Sequence, residues 1–128
     1  MTSTHSLALA EAWIAAANSQ NLPRLLALSA PEIALVGPRG IAHGHQLLQD
    51  WLARAGVTLT TQRRFARDHR VVLAQQAEWR APGDNQLLSE ANVASVFQVN
   101  ATQVIHYARY EDLATALAAA GLTHADEV

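Results

Sequence analysis

The hydrophobic positions of this chain change their spacing along its length, from a helical period near the N-terminus to alternation further on. In the first segment an apolar stripe recurs every three to four residues and consists of Leu7, Ala10, Ile14 and Ala17. Asn21 is placed to cap a second, short helix that runs to about Leu28. A third helix is predicted over 45–55, and Gly56 is a suitable residue to end it.

Beyond Gly56 the pattern is typical of β-strands. Apolar and polar residues alternate, and threonine, valine and aromatic residues supply strand preference, over 57–67, 70–80, 87–99 and 103–110. Pro82-Gly83-Asp84-Asn85 is a turn signal between the second and third of these segments, which predicts an antiparallel hairpin. A short strand is predicted over 33–36, before the turn Gly37-Pro38-Arg39-Gly40. A last helix is predicted over 113–120, capped by Asp112.

This order of elements predicts an α+β fold. Helices followed by a run of strands indicate a curved antiparallel sheet that packs on the N-terminal helices. Such a sheet forms a cone, closed by helices on one side, and the open end of a cone is a natural pocket. We expect a single domain over 1–122 and a flexible tail over 123–128. The 128 residues suffice for one buried core.

The composition of the chain excludes several kinds of functional site. A net charge of −2 argues against a dedicated nucleic-acid binder. The chain has neither cysteine nor lysine, which excludes thiolate nucleophiles, disulfides and Schiff bases. Its six histidines lack the spacing of a zinc site, so we expect no metal and no cofactor. The apolar N-terminal run lacks the basic flank of a signal peptide, and we interpret the protein as cytoplasmic and without membrane contact.

Three motifs stand in an order that resembles a known superfamily. They are Leu-Leu-Gln-Asp-Trp-Leu at 47–52, Val-Phe-Gln-Val-Asn at 96–100 and Tyr-Glu-Asp-Leu at 110–113. Together with the order of elements over about 6–122, they resemble the nuclear transport factor 2-like superfamily and, within it, the SnoaL-like branch. The resemblance implies a cystatin-like cone with a pocket. It does not imply one reaction, because the superfamily includes ketosteroid isomerases, limonene epoxide hydrolases, polyketide cyclases and non-catalytic binding or dimerisation domains.

The catalytic residues of these enzymes are not matched. The positions that the resemblance assigns to the isomerase tyrosine, base and acid hold Trp13, Gly37 and Ser95, so the proton acceptor is missing. In the epoxide hydrolase pattern, the position of the last catalytic aspartate holds Arg109 in this sequence. The positions of the Arg–Asp pair lie near 75–77, where the sequence has Gln-Gln-Ala. The catalytic residues are therefore unknown at this stage.

Strand alternation places the candidate ligand-binding residues. On 87–99 the more apolar face carries Ser95 and Phe97, and we assign that face to the concave side of the sheet. The same reasoning turns Ile105, Tyr107 and Arg109 inward on the last strand. With residues of the first helix and of 70–80, the predicted ligand-binding set is Trp13, Gln75, Trp79, Ser95, Phe97, Tyr107 and Arg109.

Two interpretations stay open for the polar members of this set. A guanidinium in an apolar cone is costly unless it is paired. Arg109 could hold a ligand carboxylate or enolate, or it could form an internal ion pair with Glu78, Glu90 or Glu111. Ser95 and Gln75 could bond to each other, to water or to a ligand. The aromatic residues either line the cavity or only pack.

The sequence therefore predicts a small-molecule-binding protein with an apolar pocket, which takes an anionic molecule if Arg109 is free. If the protein is an enzyme, we expect an isomerase, cyclase or hydratase step near a carbonyl. Arg109 would then stabilise negative charge, and Tyr107 or a bound water would move the proton. The alternative is a non-catalytic dimerisation or accessory module whose cavity is filled by its own side chains. The outer sheet face is apolar for a solvated surface, and the relatives commonly pack there, so we expect a homodimer through the convex face.

Overall fold

Every helix and strand predicted from the sequence is present in the computed structural model, which describes residues 3–37, 40–81 and 83–128. The helices are α1 (Ser3–Asn18), α2 (Leu22–Ala27), α3 (His45–Ala55) and α4 (Leu113–Ala120). The strands are β1 (Ser29–Gly37), β2 (Gly40–His43), β3 (Val57–Arg67), β4 (Arg70–Arg80), β5 (Leu87–Val99) and β6 (Val104–Tyr110). Pro38, Arg39 and Pro82, which belong to the two predicted turns, lie outside the described residues. No described helix is long and apolar enough to cross a membrane.

Local signals explain where the helices begin and end. The side chain of Asn21 accepts a hydrogen bond from the backbone N–H of Arg24 at the start of α2. Asp112 caps α4 in the same way, accepting from the N–H of Thr115 at 2.7 Å. Gly56 ends α3 with φ 53°, in the left-handed region that favours glycine. These three caps are the ones that the sequence predicts.

The six strands form one sheet in the order β2-β1-β6-β5-β4-β3. Neighbouring strands are antiparallel except β1 and β6, which run parallel, so the predicted antiparallel sheet is in fact mixed. About half of the chain lies between these two strands, which gives the long connection that a parallel pair needs. The strand β2 was not predicted, because its four residues are all exposed and show no alternation.

Helices α1, α2 and α3 share one core with the concave face of the sheet. At its centre lies an aromatic cluster, which we define as Trp13, Trp51, Phe97 and Tyr107. The ring of Trp13 is fully buried, 4.5 Å from that of Tyr107 and 5.7 Å from that of Phe97 between centroids. Its indole N–H donates to Ser29 Oγ at 2.9 Å, so the one polar atom of the ring is satisfied. Side chains therefore fill the deep part of the cone.

Helix α4 covers part of the convex face. The apolar outer-face residues that favoured a homodimer, Ala94, Val96 and Ala108, are buried in a second cluster with this helix. Arg67 and Arg70 donate to backbone carbonyls at the C-terminal end of α4, where positive charge is favourable. These outer-face residues therefore do not require a second copy of the chain.

The C-terminal segment is not the flexible tail that we expected. His124–Asp126 form a 3-10 turn, and Glu127 pairs with Phe65 of β3. Arg63 donates two hydrogen bonds to the Glu127 carboxylate, at 2.8 and 2.9 Å. The segment thus lies along the edge of β3, held by polar and backbone contacts that a hydrophobic pattern does not reveal.

A bulge in β6 changes the side of the sheet that Ile105 faces. Val99 pairs with Val104 and Gln98 pairs with His106, so Ile105 has no partner on β5. Val104 takes the inner position in the core, whereas Ile105 is half-buried outside it. The prediction that Ile105 faces the concave side is therefore wrong. The bulge ends before the rest of β6, which keeps its predicted orientation.

Replacing Trp13 with alanine should lower the free energy of unfolding by about 3–5 kcal/mol, because it leaves a cavity and removes the donor to Ser29. Urea denaturation followed by circular dichroism measures the change. Trp79→Ala, at a half-buried position, is the matched control and should cost less. Equal losses for the two variants would contradict the central place of Trp13 in the core.

Candidate ligand-binding site

A cavity of about 810 Å³ opens at the wide end of the cone. Most of its wall is apolar and consists of Leu35, Val36, Ala42, Leu47, Trp51, Trp79, Ala91 and Val93. The polar residues of the wall are Arg54, Asn92, Tyr107, Arg109, Tyr110 and Glu111. This volume is in the range of pockets that hold small organic ligands. The cone is therefore filled by its own side chains only in its deep part.

The structure divides the predicted ligand-binding residues into two groups. Those that line the cavity are Trp79, Tyr107 and Arg109. Those that lie beneath it, buried in the core, are Trp13, Gln75, Ser95 and Phe97. On β5 and β6 the division follows the strand, because Ser95 is opposite Arg109 and Phe97 is opposite Tyr107, and in each pair the β6 residue lines the cavity while the β5 residue is buried.

Several wall residues were not predicted as ligand-binding. Leu47, Trp51 and Arg54 all come from α3, where they lie four and three residues apart along one side of the helix. The apolar face that the sequence predicts for α3 includes Leu48, Trp51 and Leu52. Leu48 and Leu52 enter the core, whereas Trp51 also lines the cavity. Leu47 and Arg54 lie one turn from Trp51, and that spacing is the signal that could have revealed them.

Arg109 reaches the cavity without a carboxylate partner. No described acidic side chain lies within 4.0 Å of its guanidinium. Its Nη1 atom is shielded from solvent and has no hydrogen-bond partner among the described residues. The guanidinium carbon lies 5.7 Å from the centroid of the Trp79 ring, which gives it a cation–π contact instead.

The internal ion pairs that the sequence left open are not formed. Glu78 pairs with Arg80 at 3.3 Å, and Glu90 accepts a hydrogen bond from a glutamine of β4. Glu111 lines the cavity but makes no ion pair with Arg109. The positive charge of Arg109 is thus left on a largely apolar wall, an arrangement that favours an anionic guest.

A chain of buried hydrogen bonds lies beneath Arg109. Ser95 Oγ donates to Gln75 Oε1 at 2.6 Å and lies 3.1 Å from the hydroxyl of Tyr107. Gln75 Nε2 donates to Thr61 Oγ1 at 3.2 Å. Of the alternatives left open for Ser95 and Gln75, the structure therefore shows that they bond to each other.

Burial raises the pKa of Tyr107, and this effect outweighs the nearby positive charge of Arg109, which lowers the pKa. Tyr107 is therefore a neutral phenol at physiological pH. The cavity wall thus places the positive charge of Arg109 beside a neutral hydroxyl oxygen.

Solved structures reproduce this architecture. A protein described as NTF2-like from Burkholderia xenovorans LB400 is 25% identical, and the match covers 94% of this chain and 98% of that one with a TM-score of 0.71. This chain has the nuclear transport factor 2-like fold. The superfamily resemblance seen in the sequence is thereby confirmed. No protein-family model and no curated protein matches the sequence.

Two further solved structures extend the comparison. A protein provisionally described as a polyketide cyclase, from Xanthomonas campestris pv. campestris, is 19% identical with a TM-score of 0.74, over 91% of this chain and 96% of that one. The other is a protein of ketosteroid isomerase-like fold from Catenulispora acidiphila, in complex with trimethylamine. It is 20% identical with a TM-score of 0.68, and the match covers 90% of this chain and 93% of that one. At these identities the likeness establishes the fold alone.

The raised pKa of Tyr107 makes a prediction about stability at alkaline pH. Above about pH 10 the unfolded chain releases a tyrosine proton that the folded chain retains, so stability should fall as the pH rises. Urea unfolding at about pH 8 and about pH 10.5 measures this fall. Tyr107→Phe should flatten it, whereas Tyr110→Phe leaves Tyr107 in place and should keep it. Equal pH dependence in the wild type and Tyr107→Phe would contradict the assignment.

Proposed function

We propose that the protein binds a small, largely apolar molecule that carries an anionic group, and that Arg109 holds the anion. The observation that supports this proposal is the guanidinium of Arg109, which lies on the cavity wall with no carboxylate within 4.0 Å among the described residues. A bound carboxylate or enolate would supply the counter-charge that the chain itself does not.

The remaining wall fits such a ligand. Trp51 and Trp79 offer aromatic surface to an apolar body, and Leu35 and Val93 add aliphatic contacts. Polar groups are few, as is usual in small-molecule pockets, where they fix the orientation of the ligand. The second cation of the wall, Arg54, is exposed and donates to the backbone of its own helix.

A protein of the same fold also holds a small molecule. The Catenulispora structure is a complex with trimethylamine, which supports small-molecule binding by this fold. An arginine on the wall favours a ligand of negative charge.

Catalysis is the second candidate, and Glu111 is the observation that favours it. Among the described residues, this is the one carboxylate on the cavity wall. In an isomerase- or cyclase-type reaction, Glu111 would take a proton from the carbon next to a carbonyl, and Arg109 would stabilise the resulting enolate oxygen. Tyr107 is less suited to this task, because burial raises its pKa and its hydroxyl is bonded to Ser95.

Phenylacetate is a suitable first probe, because it combines an apolar ring with one carboxylate. We expect it to quench the fluorescence of the wall tryptophans on binding. Arg109→Met should weaken binding by roughly tenfold to a hundredfold, the value of a charge-assisted hydrogen bond. Arg24→Met, at an exposed arginine outside the cavity wall, is the control and should leave the affinity unchanged. Equal affinity of Arg109→Met and the wild type would rule out the proposed role.

The homodimer is a separate part of the proposal. Although α4 covers the centre of the convex face, Ile41 and Leu88 remain more than half exposed on β2 and β5, and a second copy would bury them. Size-exclusion chromatography with light scattering should give twice the chain mass of 13.8 kDa. Ile41→Asp should shift the protein towards the monomer. A monomeric wild type would refute this part.

A further inference from the structure

The direction of each hydrogen bond beneath Arg109 follows from the amide of Gln75. Its Nε2 donates to Thr61 Oγ1 at 3.2 Å, so its Oε1 faces Ser95 and accepts the Ser95 hydroxyl at 2.6 Å. A serine hydroxyl has a single hydrogen, which is therefore committed to Gln75. The 3.1 Å contact between Ser95 Oγ and the Tyr107 hydroxyl must then be made by the hydrogen of Tyr107.

These hydrogen-bond directions turn the hydroxyl hydrogen of Tyr107 away from the cavity. The phenol oxygen keeps its acceptor capacity, and the positive charge of Arg109 lies close enough to act on the pKa of the phenol. Tyr107 lines the cavity, and its ring is packed among Trp13, Trp51 and Phe97, which prevents it from swinging to another position. At this point the wall thus offers a cationic donor next to a neutral acceptor.

We propose that the site takes an anion with a hydrogen-bond donor beside its oxyanion, such as a 2-hydroxy carboxylate. The oxyanion would lie on Arg109, and the neighbouring O–H would donate to the oxygen of Tyr107. Gln75 and Ser95 are then positioning residues, which set Tyr107 as an acceptor without touching the ligand. This inference rests on the proposed function, since both place the anion at Arg109.

A matched ligand lacking the donor should bind less well. A methyl ether in place of the hydroxyl brings two acceptor oxygens face to face at Tyr107 and leaves both without a hydrogen. The loss of one buried hydrogen bond corresponds to a difference in affinity of about fivefold.

Isothermal titration calorimetry with mandelate and with its methyl ether, 2-methoxy-2-phenylacetate, tests the inference. In the wild type, mandelate should bind about fivefold more tightly than the ether. In Ser95→Ala the Tyr107 hydrogen loses its acceptor and can turn to the cavity, so the ratio should fall to about one or invert. Tyr107→Phe should also bring the ratio to about one.

Ser29→Ala is the matched control, because Ser29 is an equally buried serine that bonds to Trp13 and lies outside the chain of Gln75, Ser95 and Tyr107. It should leave the mandelate-to-ether ratio at its wild-type value. A purely structural role of Ser95 would weaken both acids to the same extent and leave the ratio unchanged.

Two results would overturn the inference while the proposed function stands. The first is equal binding of the two acids by the wild type, with both dependent on Arg109. The second is a mandelate-to-ether affinity ratio in Ser95→Ala that equals the ratio of the wild type. If neither acid binds, or if Arg109→Met binds both as tightly as the wild type, the proposed function fails and the inference fails with it.

Discussion

The packing of Trp13 against the concave face of the sheet is the constraint on which the rest of the structure depends. Its ring fills the deep part of the cone between Phe97 and Tyr107, and its N–H is satisfied by Ser29. A large aromatic residue at this position contributes more buried area than any aliphatic one could. Because the deep part is filled, the cavity inside the cone lies at its wide end. The cavity, its aromatic wall and the orientation of Tyr107 all follow from that packing.

At the wide end the governing effect is electrostatic. Arg109 projects from the inner face of β6 beside Trp79, and the nearby carboxylates are either paired elsewhere or too distant. An unpaired cation on an apolar wall costs stability that the fold itself has no structural need to sacrifice. The buried bonds of Gln75 and Ser95 hold Tyr107 next to it. The proposed binding of an oxyanion would explain why a charge and an ordered polar chain meet at one wall of an otherwise apolar cavity.

The sequence predicted the long strands and their inner faces well, because alternation over many residues identifies both the element and the side that is buried. It placed Trp79, Tyr107 and Arg109 on the concave side, where they line the cavity. It could not reveal the bulge at Ile105, since one extra residue in a strand leaves no compositional signal. Nor could it separate the wall of the cavity from the packed layer below, because Ser95 and Arg109 share a face and only tertiary packing decides which one is covered. The docked C-terminus depends on such tertiary contacts too.

Nuclear magnetic resonance of the arginine side chains tests the central claim most directly. The nine arginines each give one Nε–H signal, and the signal of Arg109 is identified by its loss in Arg109→Met. On titration with phenylacetate, the Arg109 signal should shift most and saturate with the same affinity as the tryptophan fluorescence. A titration in which Arg109 stays unchanged, while another arginine such as Arg54 shifts, would contradict it.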